Sequence, residues 1–159
     1  SVIATAGGPD KVAVACRHGA HYGIDYKTED IREKVKDLTG GRGADVVYDP
    51  VGGAVFDASL RSIAPDGRIL VIGFASGTVP QIPANHLLVK NVTVIGYWWG
   101  AYRKLAPERV RDSLAECVQW WAEGKLSPHV SNTLPLAEAS AALDLLKGRA
   151  ATGKVVLVV

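Results

Sequence analysis

Gly43-Ala-Asp-Val-Val-Tyr-Asp-Pro-Val-Gly-Gly53 is the stretch of sequence that decides the fold. A short apolar run, residues 46–48, lies between turn residues, as in a strand buried on both faces of a parallel sheet. Pro50 ends the strand, and the two glycines that follow let the backbone approach a ligand closely because glycine has no Cβ. The stretch therefore predicts a strand followed by a tight turn.

A helix is predicted directly after this turn, since Phe56, Leu60 and Ile63 are spaced at i, i+4 and i+7. In an open α/β sheet, ligands bind outside the carboxyl ends of the strands. The strand, turn and helix therefore predict a ligand-binding edge at residues 49–53. The alternative is an ordinary connection between a strand and a helix.

The same alternation extends along the rest of the chain. Apolar runs predict further strands at residues 2–6, 22–26, 68–73, 92–97, 129–134 and 154–159. Amphipathic segments predict helices, with Thr28 as the N-cap of one and Pro107 at the start of the longest. The apolar stripe of that longest helix consists of Val110, Leu114, Cys117, Val118 and Trp121. This order predicts an α/β fold, a doubly wound parallel sheet with helices on both faces.

The composition is that of an ordinary globular protein. Of the 159 residues, 48% are hydrophobic and 21% charged, which predicts a folded domain rather than disorder. A net charge of +2 is too small to indicate a nucleic-acid partner. No apolar run reaches the roughly 20 residues that cross a bilayer, and no signal segment opens the chain. We therefore expect a cytoplasmic protein without a membrane partner.

The cysteines and histidines lack the spacing of a metal site. Cys16 and Cys117 are isolated within helical patterns, which predicts buried, unreactive thiols. No ligand spacing joins the histidines, which are His18, His21, His86 and His129. We therefore expect no bound metal.

Familiar catalytic and phosphate-binding motifs are absent from the sequence. It contains no phosphate-binding loop, no Gly-x-Ser-x-Gly nucleophile turn, no Tyr-x-x-x-Lys dyad and no Gly-x-Gly-x-x-Gly dinucleotide motif. The chain also has no methionine and opens within a predicted strand. We therefore expect it to be a portion of a longer protein, with the dinucleotide motif upstream of Ser1.

Several segments together resemble the medium-chain dehydrogenase/reductase family. They are Val2-Ile-Ala-Thr-Ala-Gly-Gly-Pro-Asp-Lys11, Gly19-Ala-His-Tyr-Gly-Ile-Asp-Tyr26, Thr39-Gly-Gly-Arg-Gly-Ala-Asp-Val-Val-Tyr-Asp-Pro-Val-Gly-Gly53, Gly67-Arg-Ile-Leu-Val-Ile-Gly-Phe74, Leu134-Pro-Leu-Ala-Glu-Ala and Gly153-Lys-Val-Val-Leu-Val158. They follow the family's order and are most similar to its zinc-free NADPH:quinone oxidoreductases. The resemblance implies a partial Rossmann-like domain at residues 1–127 and a segment, residues 128–159, that returns to an upstream substrate domain.

The resemblance also implies a gap in the sheet. If the strands follow the family's order 3-2-1-4-5-6, the first and central strand is absent from this chain. Each unpaired backbone group in a sheet interior costs about 1–3 kcal/mol. We therefore expect the gap to be closed by a co-purifying N-terminal fragment, by a second copy or by rearranged pairing. The implied activity is NADPH-dependent reduction of a small quinone or enone, with this chain inactive alone.

The end of the first visible strand indicates the cofactor. Enzymes that use NAD place a carboxylate there, whereas a 2′-phosphate favours cations and small residues. This strand runs into Ala6 and Gly7 without a carboxylate, and Lys11 follows one helical turn later. Tyr26 matches the tyrosine that the quinone oxidoreductases place beside the 2′-phosphate, and Arg149 is a further candidate for that group. The sequence therefore favours NADP over NAD.

The same resemblance implies that Asp49, Pro50 and Val51, together with Gly73 and Phe74, border the nicotinamide ribose through backbone contacts. Pro50 stands where related enzymes often carry serine, so a side-chain hydrogen bond is not expected there. Because the cofactor carries the hydride and the protein orients it, no acid or base is expected in this half of the enzyme. The catalytic residues are therefore not predicted.

Val92-Thr-Val-Ile-Gly-Tyr97 corresponds to the family's edge strand and implies a homodimer, because exposed strand edges can pair across a two-fold axis. Trp98 and Trp99 add apolar surface suited to an interface. The alternative is that both tryptophans pack against the helix that begins at Pro107.

Two other interpretations of the whole chain stay open. One is a nucleotide-binding or interaction module without catalysis. The other is a fragment of a Rossmann-like methyltransferase, since Asp49-Pro50 loosely resembles the acidic-proline motifs of those enzymes.

Overall fold

The computed structural model describes residues 1–159 and divides them into two compact units, Ser1–Ala101 and Tyr102–Val159. Helices and strands alternate in both units, which confirms the predicted α/β class. The predicted boundary at residues 127/128 concerns a different division, between a nucleotide-binding domain and a returning segment, and it stays a prediction. None of the helices is both long and apolar enough to cross a membrane.

The first unit contains five strands and four helices. In chain order they are β1 Ile3–Ala6, α1 Pro9–Arg17, β2 Tyr22–Asp25, α2 Ile31–Leu38, β3 Ala44–Asp49, α3 Gly53–Ser62, β4 Ile63–Val71, α4 Ala84–Leu88 and β5 Thr93–Gly96, followed by a 3₁₀ turn at Trp99–Ala101. Its strands pair in parallel as β1-β2 and as β3-β4-β5. The carboxyl ends of the strands in each sheet therefore lie at the same edge, where the sequence predicts the ligand site.

β1 and β3 each pair with another strand on one side only. No pairing joins these two strands, and none of the remaining strands of the chain pairs with their open edges. Rearranged pairing, one of the three expected ways of closing the gap, is therefore not what this chain adopts. The observed pairing agrees with the expected order, in which another strand separates β1 from β3.

The second unit contains the helices α5 Tyr102–Leu105, α6 Pro107–Ala122 and α7 Ala139–Lys147, and the strands β6 Val130–Pro135 and β7 Lys154–Val158. A 3₁₀ turn at Leu136–Glu138 precedes α7. The two strands pair in parallel. This pairing confirms that the segment predicted at residues 129–134 is a strand, one residue displaced.

Two apolar clusters form the core of the first unit. One is centred on Phe56, which is fully buried between α3 and the strands β4 and β5, with Leu60 and Ile69 as neighbours. The other joins Ile24 of β2 to Ile31 and Val35 of α2. Ile3 of β1 and Ala44 of β3 both pack on the second cluster. This shared packing fixes β1 and β3 within one unit although no hydrogen bond joins them.

Two local predictions are wrong, one on a helix cap and one on the burial of the cysteines. The N-cap of α2 is Asp30, whose carboxylate accepts a hydrogen bond from Glu33 N at 2.9 Å, rather than Thr28. Both are residue types that cap helices, but α2 begins at Ile31, so Asp30 occupies the position directly before the helix and Thr28 lies two residues too early. Cys16 and Cys117 are exposed rather than buried.

The apolar stripe predicted on the longest helix is also exposed. α6 has no buried residue, and Leu114, Val118 and Trp121 are each more than half exposed. A helical period shows that one face is apolar, but it does not show what covers that face.

Candidate functional site

Two turns at the carboxyl ends of parallel strands carry most of the predicted site residues. The β1–α1 turn, residues 6–11, contains Ala6, Gly7 and Lys11. The β3–α3 turn, residues 49–53, contains Pro50 and Val51. Each turn leads from a strand into the N-terminus of a helix, the position at which parallel α/β sheets bind ligands.

The β1–α1 turn is fastened to the end of β2 at three successive positions. The amide of Tyr26 donates to Ala6 O at 3.1 Å, and Gly8 N donates to the Asp25 carboxylate at 2.8 Å. Between these bonds the Tyr26 ring lies directly over Gly7. A Cβ on Gly7 would stand 2.6 Å from the Tyr26 hydroxyl oxygen, so only glycine leaves room for the ring.

The contact between Tyr26 and Gly7 brings two predicted site residues together. Tyr26 is 39% exposed, which leaves part of its ring accessible to a ligand. Lys11 lies in the first turn of α1, on the helix whose N-terminus begins at Gly8. Backbone amides and a cation at a helix N-terminus favour a bound anion.

Asp25 is ionised, and its carboxylate accepts hydrogen bonds from two backbone amides. The backbone amides of Lys27 and Gly8 both donate to its Oδ1, and these bonds hold the pKa of the carboxyl below its usual range. The amide of Asp25 in turn donates to Glu29 Oε2 at 2.9 Å, and Glu29 pairs with Lys34 at 2.9 Å. The end of β2 is therefore a small charged network that orders the turn beside it.

The β3–α3 turn is ordered by a buried carboxylate of its own strand. Asp49 is only 2% exposed, and its Oδ1 accepts hydrogen bonds from Val51 N at 2.8 Å and Gly52 N at 3.1 Å. Its second oxygen also accepts from Gly52 N, at 3.2 Å. Gly52 has φ 70° and ψ −161°, a conformation that essentially only glycine adopts.

The β3–α3 turn is also joined to the loop that follows β4, residues 72–78. Ala75 N donates to Pro50 O at 3.0 Å and Ser76 N donates to Val51 O at 2.9 Å. Gly53 N donates to Thr78 O at 3.1 Å and joins the last residue of the turn to the end of this loop. These bonds place Gly73 and Phe74 beside Pro50 and Val51. That these residues border a ribose stays a prediction.

Arg149 belongs to the second unit. It lies just after α7 in a left-handed conformation, φ 54°. It lines a recess of about 410 Å³ with His129, Thr152 and Lys154. His129 Nε2 lies 3.3 Å from Thr152 Oγ1 across this recess. The recess carries several donors and no carboxylate, which suits an anionic group.

Asp25 is a functional candidate that does not figure among the predicted site residues, and Asp49 lies at the predicted ligand-binding edge without a predicted role for its carboxylate. Each is the last residue of a parallel strand, and each binds amides of a strand-end turn. An aspartate that ends a strand before a glycine turn is a usable signal, because its carboxylate can reach amides two or three residues onward. That signal identifies Asp49, whereas the Asp25 bond to Gly8 spans 17 residues and has no local pattern.

No group of three or more histidine, cysteine, aspartate or glutamate side chains lies close enough to hold a metal ion.

Comparison with known proteins finds dehydrogenase and oxidoreductase relatives over most of the chain. The family model described as "Zinc-binding dehydrogenase" matches residues 1–119. A quinone oxidoreductase-like protein 2 homolog from Nematostella vectensis is 43% identical over 149 residues, which are 93% of this chain and 41% of that protein. The chain spans about half the length, or less, of the curated relatives it matches.

Two solved structures show the same architecture. A mycobacterial protein, Rv1454c, complexed with NADPH has a TM-score of 0.85 and 31% identity, covering 99% of this chain and 50% of that one. An NAD-dependent alcohol dehydrogenase has a TM-score of 0.82 and 35% identity, covering 99% of this chain and 43% of that one. With the family match over residues 1–119, these similarities show that the chain belongs to the zinc-binding dehydrogenase family, the medium-chain dehydrogenase/reductases whose Rossmann-like fold it shares.

Proposed function

We propose that this chain is the nucleotide-binding half of an NADPH-dependent quinone or enone oxidoreductase. The observation that carries the proposal is the pair of ordered turns at the strand ends. One has the Tyr26 ring against Gly7 and leads to Lys11 in the first turn of α1, and the other is held by the Asp49 carboxylate. The NADPH complex among the similar structures supports the choice of cofactor, and the similarity to quinone oxidoreductase-like proteins supports the choice of substrate.

The β1–α1 turn is the proposed site of the adenosine end of the cofactor. Lys11 supplies a positive charge and Tyr26 a hydroxyl for the 2′-phosphate, while Ala6 and Gly7 leave space for the ribose. Arg149 of the second unit is proposed, separately, as an anion-binding residue, since it lines a recess of donors without a carboxylate. The fit of the Tyr26 ring against Gly7 orients the hydroxyl before any ligand binds.

The β3–α3 turn is the proposed support for the nicotinamide ribose. Pro50 and Val51 lie against Gly73 and Phe74, and the backbone bonds between the two loops hold this surface rigid. The Pro50 carbonyl is engaged by Ala75 N and proline has no amide donor, so contacts there depend on neighbouring backbone and on the Phe74 ring. NADPH, when bound, supplies the hydride.

The partners of this half are proposals as well. We propose that residues 1–127 bind the nucleotide and that residues 128–159 return to a substrate domain, with a small-molecule substrate bound between them and the remainder of the enzyme. An N-terminal segment is proposed to pair with the open edges of β1 and β3. The open edge of β5 is proposed to form a homodimer, and Trp98 beside it is 76% exposed.

The proposal is tested by measuring quinone-dependent NADPH oxidation by the full-length protein and by residues 1–159 alone. Activity is expected only in the full-length protein, because the remainder of the enzyme is proposed to pair with the open edges of β1 and β3 and to complete the substrate pocket. Lys11→Ala is expected to raise the KM for NADPH about ten-fold through loss of a phosphate contact. Lys36→Ala, in the last turn of α2, is the matched control. Binding of neither NADPH nor NADH to the full-length protein would overturn the proposal.

A further inference from the structure

We propose that Asp25 sets how strongly the nucleotide site discriminates between NADPH and NADH, by holding the β1–α1 turn in place while opposing a 2′-phosphate with its charge. The inference rests on the proposed function and identifies a specificity residue on β2. This strand is not the one whose end is expected to carry the carboxylate of NAD-dependent enzymes.

The geometry gives Asp25 its structural role. Asp25 and Tyr26 are consecutive, and they hold Gly8 and Gly7, which are also consecutive. The Asp25 bond to Gly8 N, 2.8 Å, fixes the backbone against which the Tyr26 ring rests. Loss of this bond would free the glycine pair and, with it, the orientation of the tyrosine.

The charge of Asp25 gives it an electrostatic role of opposite sign. A 2′-phosphate is anionic, and Asp25 occupies Gly8 N, a donor at the N-terminus of α1 that would otherwise be available to that phosphate. Besides Lys11 in the first turn of α1, the charged groups around Asp25 include Lys27, which lowers the pKa of Asp25, and Lys34, which is paired with Glu29. The ribose 2′-OH of NADH carries no charge and can donate to a carboxylate, so it does not experience this repulsion.

The similar structures show that cofactor use differs within this architecture. One is described as a complex with NADPH and another as an NAD-dependent enzyme, each covering 99% of this chain. The choice between NADPH and NADH can therefore change in this architecture without a change of fold, and a single residue at the turn can alter the ratio of the two affinities.

Asp25→Asn separates the two roles. The asparagine Oδ1 can still accept from Gly8 N and Lys27 N, while the negative charge is removed. In the full-length protein, the ratio of NADPH affinity to NADH affinity is expected to rise about five-fold, measured for each cofactor by fluorescence enhancement or calorimetry. Asp25→Ala, which removes the acceptor too, is expected to weaken the binding of both cofactors. Asp37→Asn, on the exposed side of α2, removes an equal charge and is expected to leave the ratio unchanged.

The outcomes separate the inference from the proposed function. An unchanged or lower ratio in Asp25→Asn, with NADPH still bound by the wild-type protein, overturns the role of Asp25 and leaves the nucleotide site intact. Failure of the wild-type protein to bind either cofactor overturns both. A melting temperature within the range of the Asp37→Asn control shows that the asparagine variant is folded when the ratio is measured.

Discussion

The two strand-end turns have similar positions and are ordered in different ways. The β3–α3 turn depends on Asp49 of its own strand, which is 2% exposed, and on backbone bonds to the neighbouring loop. The β1–α1 turn depends on side chains of another strand, with Asp25 partly buried and the Tyr26 ring 39% exposed. The β3–α3 turn is buried at Asp49 and at its two glycines, whereas no residue of the β1–α1 turn is buried.

Because of this difference, we expect substitutions in the two turns to affect different properties of the protein, stability in one case and ligand affinity in the other. Buried hydrogen bonds are costly to break because the freed groups stay away from water, so substitution in the β3–α3 turn should act mainly on stability. Solvent can replace lost bonds in the β1–α1 turn, so substitution there should act mainly on ligand affinity. In the proposed function, the rigid β3–α3 turn would hold the nicotinamide end, and specificity at the adenosine end could change at small structural cost.

The largest effect is expected from Asp49→Ala. The substitution leaves the amides of Val51 and Gly52 without their acceptor, and the Gly52 amide is buried. The free energy of unfolding of the full-length protein is expected to fall by about 2–4 kcal/mol, measured by urea denaturation. Asp49→Asn, which retains one acceptor oxygen, should lose about half as much. A loss below that of an exposed-site variant such as Asp37→Asn would show that the turn is held by its loop bonds alone.

Gly52→Ala is expected to be next in size. Alanine would adopt a φ near 70° at a cost of about 1–3 kcal/mol, and its Cβ would stand 2.8 Å from Thr78 O. The backbone oxygen cannot move aside without breaking the bond from Gly53 N. Gly77→Ala is the matched control, since Gly77 has φ 81° but no atom near its Cβ position. Equal losses of stability in the two variants would contradict a tightly packed β3–α3 turn.

Gly7→Ala tests the β1–α1 turn, where substitution is expected to change ligand affinity more than stability. Its φ is not in the left-handed region, and the atoms in its way belong to the end of the Tyr26 side chain, which can swing aside. Stability is therefore expected to change little, while affinity for NADPH falls about three-fold because the Tyr26 hydroxyl is displaced. In a Tyr26→Ala background the same substitution should have no further effect on affinity. An additive loss in the double variant would show that Gly7 acts on the cofactor independently of Tyr26.

The sequence predicts the β3–α3 turn well because its determinants are local. A strand, Pro50 and two glycines follow one another within a few residues, and Asp49 binds amides two and three positions away. The β1–α1 turn could be predicted only in part. Its glycines and Lys11 are visible in the sequence, but the bond between Gly8 and Asp25 joins the turn after β1 to the end of β2 and depends on the parallel register of those two strands.

Exposure is the property that the sequence predicts least well. Cys16 and Cys117 lie within helices as expected, yet both are exposed. The stripe of α6, with Trp121 62% exposed, is apolar and uncovered. A periodic pattern records which face of a helix is apolar, whereas burial depends on what other segments pack there, and that information is not local.

The smallest expected effect is a loss of stability in acid that depends on Asp25. Amide donors from Lys27 and Gly8 lower the pKa of its carboxyl in the folded protein, so the folded state binds this proton less readily than the unfolded chain does. The stabilisation is therefore present above the pKa of the unfolded chain, about 3.9, and is lost as the pH falls through the lower folded value. The difference in melting temperature between wild type and Asp25→Asn should be constant from about pH 6 to pH 5 and change in favour of the variant below about pH 4. A difference independent of pH down to about pH 3 would mean that solvent, rather than the amides of the β1–α1 turn, sets the charge of this carboxylate.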